Sequence, residues 1–446
     1  MGLICALVAI RFFTERIVLL PRAFNAVDLF MTPLLLLPAA ALWVIRPWRL
    51  RGRGIALLAC VVVLAWVIAW AINASDVSWL GATFLIVGLL TPIAFFLTVV
   101  NLPLSRRFPE KMERLLFTLA IVNCVIATVD AVRSFGLMAD DFIFGTFGVN
   151  QNQLAFFLAV MMSFFLGLWR NQLLSWRGKL LTVWSGALFI LCGFQTLWVV
   201  FAIAMVLVHI VVSGIDRRIV VLVLLGTAVP LITLKLFKFQ RFDVRAELVQ
   251  MVRDFPELGK VQLVEHVGQI LEERPSAAFW GVGPAVFNSR AFRNIAIIPY
   301  GALPGSDVAA AVVTPFYRSD LSARFIVPYF VIGRTHLSGA NTDGPFTSYV
   351  SVPVELGLLG AIPLFAIYGY VLYLLARDAR RASDPMRRSV AIWALSALLM
   401  LLGIAAIDNY LEVTRYTILV WLCIALWYLT VHQPRVQYVT HVRNRR

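Results

Sequence analysis

The chain predicts an all-α polytopic membrane protein of about 11–12 transmembrane helices, with a mainly helical domain outside the membrane before the last three spans. Three observations carry this. Of 446 residues, 61% are hydrophobic and 14% are charged, against about 25% charged in an ordinary soluble domain. Apolar runs near the ~20 residues that a helix needs to cross a ~30 Å hydrocarbon core recur along most of the sequence. The basic residues gather in short loops on alternate sides of those runs.

Residues 1–20 read as a poor first helix. Arg11, Glu15 and Arg16 interrupt the apolar run, and no small-residue cleavage site follows to make it a signal peptide. Clear spans follow at 27–45, 54–72, 79–100, 114–132, 152–169, 179–194, 195–213 and 218–237, then at 349–376, 388–407 and 414–432. The expected organisation is an N-terminal transmembrane bundle over 1–237, a loop domain over 238–348, C-terminal transmembrane helices over 349–432 and a tail over 433–446. The sequence contains no repeat of solenoid period and none of the paired Gly/Pro-broken spans of inverted-repeat transporters.

Charge sets the orientation. If 46–53 (RPWRLRGR) faces the cytoplasm, alternation puts 101–114, 170–179, 214–218, 377–388 and the tail there too, and together these hold 22 Lys/Arg. The short loops left on the other side, near 73–78, 133–151, 193–196 and 408–413, hold one, Arg133. Cytoplasmic positive charge resists translocation, so this imbalance fixes the sidedness and places 238–348 outside. It also explains the formal charge of +15: the basic residues mark topology, and no groove for nucleic acid is implied.

The outer segment carries 11 Lys/Arg and 10 Asp/Glu, enough chain for a small domain. Within it, GKVQLVEHVGQILEER sets Leu263, Val264, Val267, Ile270 and Leu271 on one helical face, with Glu265, Gln269 and Glu272 opposite. Pro275 stops the helix. FWGVGPAVF follows, where Gly281 and Gly283 flank Val282 ahead of Pro284 as a tight backbone turn requires. All five cysteines (Cys5, Cys60, Cys124, Cys192, Cys423) fall in apolar runs and read as lipid-facing or packing residues, with no disulfide framework or metal-ligand spacing.

Three segments together resemble the bacterial O-antigen ligase and polysaccharide polymerase superfamily, membrane glycosyltransferases of the GT-C type. FGTFGVNQNQLAFFLAV at 144–160 looks like the family's Gly- and Asn-containing stretch that opens a membrane helix. The amphipathic helix plus WGVGPAVF at 280–287 is similar to the Gly-x-Gly-Pro turn of its large periplasmic loop. PFTSYVSVPVELGLLG at 345–360 looks like the segment with an embedded glutamate that returns the chain to the membrane. The resemblance covers roughly 140–375, and the chain departs from it at two places. GFQTLWVV offers Gln195 where many members have a basic residue, and Phe346 stands nine residues before Glu355 where many have histidine, the nearest being His336.

The resemblance implies a multi-pass protein of the bacterial inner membrane that moves a glycan from an undecaprenyl-diphosphate carrier on the periplasmic face, without metal or other cofactor. The implied partners are the lipid-linked donor, membrane lipids and an acceptor. A polymerase gives the glycan to another lipid-linked repeat unit and a ligase gives it to lipid A core. The PFTSYVSVPVELG stretch looks more like the exopolysaccharide polymerase branch.

A diphosphate leaving group asks for cations, and arginine binds it bidentately; the chain has 34 arginines and five lysines. The expected substrate-binding residues are Arg241, Arg245, Lys260, Arg290 and Arg324. Arg241 and Arg245 share a face if the preceding helix continues, and otherwise anchor at headgroups. Arg324, within LSARFIVPYF, suits a structural salt bridge equally well.

The expected catalytic residues are His336 and Glu355. An imidazole on the outer side can take an acceptor proton near neutral pH, although solvated loop histidines are common. A carboxylate within a span costs roughly 2.5 kcal/mol or more and is therefore paired or functional. Asn150 and Asn152 orient substrate or, more simply, cap a helix. Two rival readings stand beside this one. Asp140 and Asp141 could hold a divalent metal, and the sparse intramembrane charges Asp28, Asp130, Lys235, Glu355 and Arg415 could line the path of a lipid-linked oligosaccharide flippase.

Overall fold

The computed structural model describes residues 51–134 without 103 and 106, 143–214 without 144 and 148–150, 259–291 without 288 and 290, and 347–432. These residues form helices α1 (Arg53–Ile72), α2 (Trp79–Asn101), α3 (Phe108–Ser134), α4 (Gln151–Arg170), α5 (Trp176–Leu191) and α6 (Gln195–Ser213). After them come α7 (Gly259–Glu273), the short α8 (Ala277–Trp280), α9 (Ser348–Arg381), α10 (Pro385–Ala405), a 3-10 turn at Tyr410–Glu412, and α11 (Thr414–His432). Among the described residues there is no strand. Seven helices, α1 to α4, α6, α9 and α10, are long and apolar enough to cross a membrane. The protein is therefore an all-α polytopic membrane protein.

Every expected span is a helix, apart from 27–45 and 218–237, which lie outside the described residues along with residues 1–20 and the tail. α3 starts before its expected boundary and α9 runs past its own. Their extra turns, around Glu110 and Arg380, are polar, so hydropathy does not count them although the backbone ladder continues.

The helix ends obey capping chemistry. Ser78, Ser175, Thr347 and Asp384 each cap a helix by accepting from a backbone N–H of the first turn, and Pro385 follows Asp384 at the first helical position. α4 and α10 form the centre, with 78% of each apolar window buried, whereas α1 shows 28% and α6 33%. Leu57, Leu64, Val183 and Val199 are thus exposed toward lipid. Exposed Trp79 and Trp176 sit at opposite ends of the bundle, where amphipathic rings mark the two interfaces.

The centre is joined by polar contacts as well as by packing. The buried Trp393 indole donates to the Val160 carbonyl at 3.0 Å, and its ring lies 4.5 Å from Phe164. Small residues let α4 and α10 approach, as Gly167 meets Ser389, whose hydroxyl donates to the Gly167 carbonyl at 3.1 Å. Cys124, Cys192 and Cys423 are buried and Cys60 half-buried, all with free thiols, as packing residues should be; Cys5 lies outside the described residues.

The helix ends sort by charge. At one end the Arg51 N–H donates to Asn101 Oδ1 at 2.8 Å, Asn171 donates to Ser389 Oγ at 2.8 Å, Arg388 donates to the Val212 carbonyl at 3.4 Å, and Arg170 donates to Ser213. These are the loops that the sequence marks as basic. At the other end two loops poor in Lys/Arg, 73–78 and 408–413, hold 259–291 through Asn73, Asp76 and Glu412.

Candidate functional site

The site lies at the end of the bundle opposite the basic loops and is built around a break in α9. Gly357 has φ 66° and ψ 179°, which interrupts the helical ladder and leaves the carbonyls of the preceding turn without their usual partners. The turn after α8 takes them up. The Val282 N–H donates to the Val354 carbonyl at 2.8 Å, and the Gly283 N–H to the Glu355 carbonyl at 3.3 Å. Both glycines of the Gly-x-Gly are needed, with φ of 76° at Gly281 and 110° at Gly283. A Cβ on Gly281 would collide with the backbone of Glu355 and Gly357. The tight turn expected from FWGVGPAVF is therefore present, and the broken helix is its seat.

Glu355 completes the joint. Its side chain is fully buried, and its carboxylate accepts from the N–H groups of Ala285 at 2.6 Å, Phe287 at 3.2 Å and Ser289 at 2.8 Å. A buried carboxylate without such donors would cost several kcal/mol, roughly. Here three backbone dipoles converge on it, and alternate residues of 285–289 turn their amides inward. Ala285 holds φ 59°, an uncommon conformation for a residue with a side chain.

Glu412 repeats the device one step further along. It is buried, its Oε2 accepts from the Ala291 N–H at 3.3 Å, and its Oε1 accepts from the Ser351 hydroxyl at 3.5 Å. Ser351 also donates to Asn409 Oδ1 at 3.2 Å, while the Ser348 hydroxyl accepts from the Leu411 N–H at 3.2 Å. The segment 281–291 is thus stitched to α9 by Glu355 and to the loop before α11 by Glu412. A third tie joins it to the loop after α1, where Asn73 donates to the Gly281 carbonyl at 3.3 Å and Arg274 pairs with Asp76 at 3.5 Å.

A second buried polar joint lies in 144–160. The Gly145 N–H donates to Asp130 Oδ2 at 3.1 Å, and Thr146 donates to Asn123 Oδ1 through both its N–H and its hydroxyl at 3.0 Å. Gly145, at φ 57°, presses against Asn123 and Leu154 where a Cβ has no room. Asp130, named above as a possible lining residue of a transport path, anchors this turn to α3.

α7 forms where expected, with its last residue, Glu273, just before Pro275. Its buried stripe is narrower than expected: Leu263 and Ile270 are buried and Val267 half-buried, whereas Val264 and Leu271 are exposed. The two buried positions and the half-buried one fall within one helical stripe, and the two exposed ones flank it.

Of the expected site residues, Glu355 is at the centre of this joint and Lys260 lies in the first turn of α7. Arg241, Arg245, Arg290, Arg324 and His336 lie outside the described residues, as do Asp140, Asp141, Asn150 and Phe346. Gln195 opens α6, and Asn152 sits half-buried in the first turn of α4. Sequence reasoning missed Glu412. The signal was available, since an acid immediately before an apolar span in DNYLEV raises the same question as Glu355.

No protein-family model matches the chain, and no curated protein matches it significantly.

Proposed function

We propose that this protein is an inner-membrane glycosyltransferase that takes a glycan from an undecaprenyl-diphosphate carrier on the periplasmic face and transfers it to a second lipid-linked glycan, as a polysaccharide polymerase does. One observation carries the reading. The Gly-x-Gly-Pro turn and the embedded glutamate, two segments that separately resemble parts of the O-antigen ligase and polymerase superfamily, meet at one joint through the Glu355 carboxylate and the amides of 285, 287 and 289. Both belong to the end of the bundle opposite the basic loops, which on the charge pattern is the periplasmic end.

The chemistry suits such a place. The donor already carries a good leaving group, so the protein's tasks are to hold the diphosphate charge, to orient the acceptor hydroxyl and to take its proton. Glu355, with three N–H donors on its two oxygens, acts in this reading as the residue that shapes the 281–291 segment. Ser289 and Ala291 are both fastened by their amides, and Arg290 stands between them in sequence. That flanking supports Arg290 as a phosphate ligand, with Arg241, Arg245, Lys260 and Arg324 as further cations and His336 as the base.

The test is glycan transfer by the purified full chain in liposomes, given a labelled undecaprenyl-diphosphate-linked repeat unit. Growth of lipid-linked polymer is the expected result. Transfer only when lipid A core is supplied would assign a ligase instead. Movement of the donor across the bilayer with no new glycosidic bond would assign a flippase and remove the enzyme reading. His336→Ala should lower turnover without weakening donor binding, and unchanged turnover from about pH 5.5 to about pH 8 would remove His336 as the base.

A further inference from the structure

Far from that site, at the basic end, the start of α1, the lower half of α9 and the end of α11 enclose a pocket of about 310 Å3. Arg53, Arg377 and His432 line it together with the rings of Tyr370, Trp427 and Tyr428. Its floor is apolar, formed by Phe96, Val371, Leu374 and Ile424. Among the described residues that line it, none is acidic. Asp378 lies beside it and approaches Arg377 at 3.3 Å, which compensates part of the positive charge.

This composition has a definite chemical meaning. Arg53 sits in the first turn of α1, where the helix dipole also favours a bound anion. Two guanidinium groups beside aromatic rings at a membrane interface suit a phosphodiester, and an apolar floor suits the glycerol and upper acyl chain attached to it. A free inorganic phosphate would use the cations and leave the apolar floor uncovered.

We propose that this pocket is a binding site for an anionic phospholipid, which seats its phosphate between Arg53 and Arg377 and its acyl chain along Phe96 and Leu374. Bound there, the lipid joins α1, α9 and α11 at the basic end, which α9 connects to the joint around Glu355 at the other.

Native mass spectrometry of the full chain in detergent, with added phosphatidylglycerol, phosphatidylcholine or inorganic phosphate, tests it. Phosphatidylglycerol should bind at least about tenfold more tightly than phosphatidylcholine, and the double variant Arg53→Gln, Arg377→Gln should lose that preference. The double variant Arg380→Gln, Arg381→Gln removes as much charge from the same end outside the pocket, and should keep it. Gly54→Glu guards against a folding defect. Gly54 lines the pocket, a Cβ there meets open space, and an acid in the first turn of α1 favours the helix, so a carboxylate should exclude the phosphate without unfolding the chain. Equal binding of the two lipids would overturn the proposal. So would equal loss in the control variant, full binding by Gly54→Glu, or binding of inorganic phosphate with no preference for phosphatidylglycerol.

Discussion

At the scale of the residue, Glu355 and Glu412 show what a buried carboxylate does for a neighbouring backbone. Glu355 accepts from three N–H groups of a stretch with no ladder to satisfy them, and Glu412 accepts from the Ala291 N–H. Glutamine at 355 keeps the shape but turns an N–H donor toward three N–H donors. Glu355→Gln should therefore destabilise the protein by about 2 kcal/mol or more, since hydrogen bonds to a charged group are each worth roughly that much. Thermal unfolding in detergent reads it directly, and a melting temperature equal to wild type would show that the three amides do not depend on the charge. The sequence marked Glu355 as exceptional because a carboxylate in a span needs a reason. It did not say which reason, because the answering amides lie about seventy residues away and amides leave no trace in composition.

At the scale of the element, α9 is the informative case. Its hydropathy reads as one span, yet Gly357 divides it, and the division exists because the turn at 281–283 occupies the space. A Cβ on Gly357 would strike the Phe279 carbonyl, and the backbone there is left-handed as well. Gly357→Ala should cost about 2 kcal/mol or more, whereas Gly369→Ala, on the same helix with open space around it, should leave the melting temperature unchanged or slightly raised. Equal effects of the two would mean that the joint yields. No window of hydropathy could locate this break, since it is imposed by tertiary contact; the helix itself and its neighbours α10 and α11 were legible as apolar runs at 349–376, 388–407 and 414–432.

α7 gives a pH dependence. Burial holds His266 below the usual imidazole range, with Glu265 partly opposing the shift. In the unfolded chain the imidazole takes up its proton near 6.5, while the folded chain resists it to lower pH. The unfolded state therefore binds more protons in that interval, and stability falls as the pH drops below about 6.5. His266→Gln should flatten the decline of melting temperature between about pH 7.5 and about pH 5.5, and an unchanged decline would place its origin elsewhere.

At the scale of the whole molecule, the partition of basic residues and the partition of helix ends agree. Among the described residues, loops rich in Lys/Arg are bonded to one another or to neighbouring helix ends at one end, and two loops poor in them, 73–78 and 408–413, hold 281–291 at the other. Single cysteines placed at positions 300 and 382, in a background freed of accessible thiols, should report this orientation. A membrane-impermeant reagent should label position 300 in intact cells and spare 382, and the reverse pattern would invert the protein. Charge and hydropathy made the bundle legible because each span must satisfy the bilayer by itself. The joint was legible only as separate motifs, since its geometry is a property of distant segments brought together.

The stitching of 281–291 also sets an order for biogenesis. A ribosome delivers the Gly-x-Gly turn well before Glu355, and Glu412 later still, so the amides of 282 to 291 must wait for two C-terminal elements before any of them is satisfied as described. Before α9 and the loop before α11 arrive, the ties described above that the chain has already made are those of Asn73 to the Gly281 carbonyl and of Asp76 to Arg274. A chain ending before residue 347 should insert its early helices normally yet leave 259–291 open to an added protease, while the full chain protects it. The last hundred residues thus act as the clasp that closes a segment made before them, and a nascent chain that stalls in that interval is incomplete at the site even though most of its membrane spans are already in place.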